Sequence, residues 1–217
     1  MNNEFFKRFF SSIILIPLVL FIIIKTDYLF NLFLIICFLI AVYEWHMMTK
    51  KKLYYIYGLL FLLFSFYASY KLKIYNEDYK YFLFILLICV STDIGGYVCG
   101  KLFKGPKLGS ISPKKTYAGL FGGLVFSLVS MGIFFQSSII FDEKPETTSD
   151  VYFLIIILSL VSQSGDLLIS YFKRKSKIKD TGNLIPGHGG LLDRIDGIIF
   201  ALPFFYIILL LNFIKVF

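Results

Sequence analysis

The sequence predicts an all-α integral membrane protein, a polytopic bundle of about seven transmembrane helices forming one domain over residues 1–217. Three observations predict it. Apolar side chains make up 58% of the chain and charged ones only 17%, whereas soluble domains hold about 45–50% apolar and about 25% charged residues. The apolar residues fall in runs close to the ~20 residues a helix needs to cross a hydrocarbon core. The Lys and Arg collect in every second gap between those runs, so that sixteen of the 22 fall on one predicted side, the asymmetry expected of segments facing the cytoplasm.

Each run can be justified in turn. The first, 9–24, follows Lys7-Arg8 and contains Pro17; a proline is tolerated inside a lipid-buried helix and predicts a kink. It resembles the charged and apolar regions of a signal peptide, but no small-x-small cleavage site follows Ile22-Ile23-Ile24-Lys25, so it is read as a retained span. The second, 28–48, ends in Glu44-Trp45-His46, where His46 reads as an interfacial residue. The third, 53–70, is bounded by Lys50-Lys51-Lys52 on its inner side. The fourth, 79–100, carries Asp93, and the sixth, 151–172, carries Asp166. The fifth, 117–141, opens on Gly119, Gly122 and Gly123, a spacing that lets helices approach closely. The seventh, 195–216, follows the longest polar run. The loop 142–150 has four acids against Lys144, fitting the outer side. This alternation puts the N-terminus inside and the C-terminus outside.

Composition also bounds function. The net charge of +8 does not suggest nucleic-acid binding, because the cations sit beside apolar spans, where they set topology and attract anionic headgroups or phosphates. Cys37, Cys89 and Cys99 lie in or near apolar runs without metal-type spacing and read as small buried hydrophobes.

The chemistry concentrates in 170–196, SYFKRKSKIKDTGNLIPGHGGLLDRID. Lys173, Arg174, Lys175, Lys177 and Lys179 can grip phosphate. A glycine-rich turn around His188 can approach a ligand closely. Asp193 and Asp196, three apart, would share one face of a helix and could reach one ion. Together with Asp166 they would form an oxygen-rich centre suited to Mg²⁺, which takes one or two carboxylates plus substrate phosphates. Asp93 and Asp166 are costly in lipid and are therefore functional candidates that should face a polar cavity. A second basic loop, 101–116, ends in Ser112-Pro113-Lys114-Lys115-Thr116 at the start of the fifth span, where the positive end of a helix favours an anion. Lys101 and Lys104 read equally well as topology anchors. His188 could act as an acid or base, bind phosphate or make a loop hydrogen bond, and its chemistry alone does not choose.

The run S-x-F-K-R-x4-K-D-x-G-x2-I-P-x-H-G-G-L-x-D-R-I-D over 170–196 resembles the signature of the phosphatidate cytidylyltransferases. Similar blocks occur at Ser91-Thr92-Asp93-Ile94-Gly95-Gly96-Tyr97, at Ser112 to Thr116, and at Gln163-Ser164-Gly165-Asp166-Leu167, with weaker likeness at 8–17 and at Glu44-Trp45. Ala118 and Ile169 depart from the family pattern, which often has Glu in those two neighbourhoods.

The resemblance implies an integral-membrane nucleotidyltransferase that takes CTP and phosphatidate to CDP-diacylglycerol and pyrophosphate on the cytoplasmic face of a bacterial inner or plasma membrane. It implies catalytic roles for Asp166, Asp193, Asp196, Lys173 and Arg174, with the three aspartates on Mg²⁺. It implies substrate contacts from Asp93, Ser112, Lys114, Lys115, Lys179, His188 and Arg194. A second, monovalent cation and a homodimer are compatible with it. Two rivals remain to be weighed. A CDP-alcohol phosphotransferase would need an Arg that Asp196-Gly197-Ile198-Ile199-Phe200-Ala201 lacks. An ion transporter would use Asp93 and Asp166 but would not need two basic loops on one face.

Overall fold

The structure is a computed structural model that describes residues 17–24, 27–50, 52–74, 79–109, 112, 115–137, 148–182, 184 and 189–211. Helix α1 covers 17–24. Then follow α2 (Asp27–Thr49), α3 (Tyr55–Ile74), α4 (Lys80–Phe103), α5 (Tyr117–Ser137), α6 (Thr148–Lys175), the short α7 (Leu192–Ile195) and α8 (Ile198–Leu210). Five of these, α2 to α6, are long and apolar enough to cross a membrane. The expected count of about seven is therefore not reached among the described residues. Of the first expected span only 17–24 is described, and α8 has 13 residues, about 20 Å at 1.5 Å per residue.

The helices turn an apolar surface outward. On α5, Tyr117, Phe121, Val125, Val129 and Ile133 recur every fourth residue and are all exposed, a stripe suited to lipid rather than water. The inner surfaces form two cores. One joins α1 to α6 and α8 around Phe30, Phe84, Leu154 and Phe205. The other gathers Trp45, Met48, Leu62, Ile169, Leu192 and Ile199 at the opposite end, beneath the polar loops.

Small and polar side chains bring the helices together. A Cβ on Gly119 would stand 2.7 Å from the Gly96 carbonyl oxygen, and one on Gly122 would stand 2.9 Å from that of Gly95. The predicted close packing at the start of α5 is thus against α4. Thr92 Oγ1 donates to Ser159 Oγ at 2.8 Å and Ser65 Oγ to the Ile199 carbonyl at 2.7 Å. Such interhelical bonds contribute about 0.6 kcal/mol each on average in a membrane protein, so they fix register more than they supply stability.

Both basic loops fall at one end of the bundle. After α4 the chain turns through Lys104 and Gly105, both with positive φ, where glycine carries no Cβ penalty. The turn closes as the Leu108 amide donates to the Lys115 carbonyl at 2.9 Å and the Tyr117 amide to that of Pro106 at 3.2 Å. At the end of α6, Ser176 Oγ donates to the Met48 carbonyl at 2.8 Å, tying α6 to the end of α2.

Candidate active site

Two polar clusters lie side by side at this basic end. The first brings together Asp93 of α4, Lys115 just before α5, Asp166 of α6 and Asp196 between α7 and α8. Lys115 Nζ lies 2.5 Å from Asp166 Oδ2, and Ser170 Oγ donates to Asp166 Oδ1 at 3.3 Å from one turn further along α6. The carboxyl groups of Asp166 and Asp196 lie within hydrogen-bonding reach of each other, and the charge of Asp93 acts on both.

Glycine lets these acids meet. A Cβ on Gly165 would stand 2.8 Å from the Asp196 carbonyl oxygen, and one on Gly197 would collide with Ser162 Oγ. The pairs Gly165-Asp166 and Asp196-Gly197 are therefore what allow α6 and α8 to approach with their carboxylates adjacent.

The electrostatics of this cluster are unbalanced. Three carboxylates gather here; Lys115 pairs with Asp166, and the charges of Arg194 and Lys173 act on Asp93 and Asp196. Two like charges about 4 Å apart repel by about 4 kcal/mol at an effective dielectric of about 20. A proton or a cation between Asp166 and Asp196 removes that repulsion. Among the described residues no three His, Cys, Asp or Glu side chains form a ready cage for an ion. The acid pair still fits Mg²⁺, whose sites commonly rest on one or two carboxylates and are completed by substrate phosphates and water.

The second cluster centres on Asp193, three residues before Asp196, and Lys173 acts on both acids. Asp193 Oδ1 accepts from Lys173 Nζ at 2.7 Å, and its Oδ2 accepts from the amides of Thr181 at 2.8 Å and Gly190 at 3.0 Å and from Thr181 Oγ1 at 3.1 Å. A carboxylate offers about four acceptor positions, two on each oxygen; Oδ2 is occupied by the loop, while Oδ1 holds Lys173 alone. The backbone stays helical through Asp196 and Gly197 into α8, and the Asp193 carboxylate reaches back onto the preceding loop. Lys173, expected at a substrate phosphate, is instead buried against Asp193, with side-chain exposures of 11% and 7%.

Burial raises the Asp193 pKa, but Lys173 and the two amides outweigh it and hold the carboxyl below its ordinary value. A folded-state pKa below the unfolded one gives stability that is full above about pH 3.9 and is lost as pH falls through the folded value. The Asp193→Asn protein should accordingly be less stable near neutrality. It should lose less further stability than the parent between about pH 5 and pH 2, measured as the melting temperature in detergent.

The remaining predicted residues fall around these clusters. Arg174 and Lys179 are exposed beside them, with Arg174 Nη1 donating to the Ile178 carbonyl at 3.4 Å. The Ser112 carbonyl accepts the Lys115 amide at 3.1 Å, so Ser112 helps shape the turn that presents Lys115. Lys114 and His188 lie outside the described residues. Glu44, to which no site role was given, is the addition: it is 3% exposed and bonded to the 181–192 loop. A Glu at the end of an apolar run and the weaker family likeness at Glu44-Trp45 were the signals, and its partners lie 137 residues and more away.

Apolar membrane-length helices, with carboxylates and cations gathered at one end, define a polytopic helical membrane protein with a polar cluster at that end. Comparison with known proteins narrows that class. The chain belongs to the cytidylyltransferase family, whose model matches residues 52–212. It is 37% identical over 215 residues to the phosphatidate cytidylyltransferase of Rickettsia typhi, covering 94% of this chain and 92% of that protein. It is 38% identical over 218 residues to the protein of that name from Rickettsia prowazekii, covering 95% and 92%. Against the one from Bacillus subtilis it is 40% identical over 146 residues, covering 65% of this chain and 53% of that protein.

Proposed function

We propose that this chain is a phosphatidate cytidylyltransferase, converting CTP and phosphatidate to CDP-diacylglycerol and pyrophosphate. The observation that carries the reading is the convergence of Lys115, Asp166 and Asp196. They come from three separate family-like blocks and meet at the end of a bundle otherwise apolar. An oxygen of the phosphatidate phosphate attacks the α-phosphorus of CTP. The new P–O bond forms as the bond to the bridging oxygen of the β-phosphate breaks, and pyrophosphate leaves. The attacking oxygen is already anionic, so no general base is required.

The task of the site is to bring two anions together and to bear the charge that develops on the leaving group. Asp166 and Asp196 would hold Mg²⁺, with Asp93 beside them, and the ion would supply charge stabilisation at the phosphates. Lys115 and Arg194 border that position and bind phosphate oxygens, each charge-assisted contact contributing about 1.5–3 kcal/mol. Arg174 and Lys179 lie outward of it, placed to receive the lipid headgroup. Asp193 and Lys173 shape the loop between the two groups.

The first and last apolar segments would complete a seven-span topology with the basic end in the cytoplasm. A CDP-alcohol phosphotransferase is not favoured, because no Arg follows Asp196-Gly197 at the required spacing. Purified protein given CTP, phosphatidate and Mg²⁺ should release pyrophosphate, and omission of phosphatidate should abolish the release. Release that ignores phosphatidate would sink the reading.

A further inference from the structure

The 181–192 loop has to hold Asp193 and launch α8 with Asp196 in the right place, yet it is rich in glycine, with Leu192 its anchor in the core. What fixes it comes from another helix. Glu44, on the last turns of α2, is 3% exposed and points into the loop. Its Oε1 accepts the Leu191 amide at 2.8 Å, and its Oε2 accepts the Leu192 amide at 2.8 Å and Thr181 Oγ1 at 2.8 Å. The start of α7 is thereby capped from outside, since Leu191 at its N-cap makes no side-chain cap bond of its own.

The glycines on either side are cut to fit this carboxylate. A Cβ on Gly182 would stand 2.8 Å from Glu44 Oε1, and one on Gly190 would stand 2.6 Å from Oε2. Thr181 Oγ1 is in reach of both Glu44 and Asp193. A continuous polar chain thus runs from Glu44 through Thr181 and Asp193 to Lys173, joining α2 to α6 beneath the loop. The described hydrogen-bond partners of Glu44 are uncharged and belong to the loop. Glu44 also precedes residues 52–212, the stretch that matches the family model.

We propose that Glu44 is a positioning residue for the transfer reaction. It locks both ends of the 181–192 loop, so that Asp196 and Arg194 meet the substrates in register. The inference rests on the cytidylyltransferase reading for its kinetic part and on geometry alone for its structural part.

The test uses the full-length protein and the variants Glu44→Gln and Glu44→Ala. Glutamine keeps the shape but turns one acceptor into a donor. In either orientation its amide opposes a backbone N–H. Hydrogen exchange at the Leu191 and Leu192 amides should quicken in Glu44→Gln, a readout that needs no activity. The kcat per folded molecule should fall about 10–10²-fold, the size of effect that small misplacement of reacting groups produces. The KM for CTP should stay within a few-fold of the parent. Glu44→Ala should be the more impaired of the two. If it does not fold, Glu44→Gln decides alone. Unchanged exchange at the two amides would overturn the proposal, and so would a Glu44→Gln protein with parental kcat. A parent that releases no pyrophosphate would instead indict the functional reading and leave the exchange result standing.

Discussion

The Asp166→Asn protein should fold as the parent does and turn over about 10²–10³-fold more slowly, the usual loss for one major electrostatic stabiliser in a transition state. Asp196→Asn should behave alike. The substitution keeps the size of the side chain and removes the charge that would hold Mg²⁺ against the triphosphate. The fold has little to lose from it. Asp166 is partly open to solvent and faces Asp196, so removing one of two adjacent like charges relieves repulsion even as it weakens the pair with Lys115. A net change under about 1 kcal/mol corresponds to about 2–4 °C for a chain of this size. Thermal melts in detergent and pyrophosphate release, taken on the same preparation, read both quantities. Activity lost only in proportion to unfolded protein would make these acids structural.

Asp193→Ala should have the opposite signature, with stability and activity falling together. The substitution leaves the Lys173 ammonium buried without its partner and strips the Thr181 and Gly190 amides of their acceptor. Breaking a buried pair from one side costs about 3–5 kcal/mol, against a typical total of about 5–15 kcal/mol. A second substitution, Lys173→Met on top of Asp193→Ala, removes the stranded charge and should recover part of the melting temperature without restoring turnover. An Asp193→Ala protein with parental melting temperature but no turnover would return Asp193 to the metal, where its spacing from Asp196 first placed it.

That contrast shows where the sequence was legible. Membrane helices announce themselves one at a time, because each must be apolar over its own length. The predicted 28–48 and 151–172 lie within α2 and α6 to within a few residues at each end. Asp93 and Asp166 stood out for the same reason, as charges where charge is costly. Gly165 and Gly197 were visible beside their acids, though not as the contact that brings α6 onto α8. What could not be read was which polar group in one loop answers which in another helix. The partners of Glu44 are remote in sequence, and hydrogen bonding to backbone amides leaves no residue pattern. The partners of Asp193 were hidden in the same way: its spacing from Asp196 was visible, but its bonds to Lys173 and to the Thr181 and Gly190 amides were not. Lys173 is a parallel case: a lysine in a basic run suggests a phosphate ligand, and only the fold reveals its pairing with Asp193.

The central claim is that the cluster at the basic end transfers a nucleotide to a lipid phosphate. The most direct measurement follows the α-phosphorus of CTP in purified protein with phosphatidate and Mg²⁺. The structure and the family together predict that this phosphorus enters the chloroform-soluble product as CDP-diacylglycerol, with one pyrophosphate released for each. Label that stays in water-soluble CMP or CDP, or lipid product that forms equally in the Asp166→Asn protein, would contradict it.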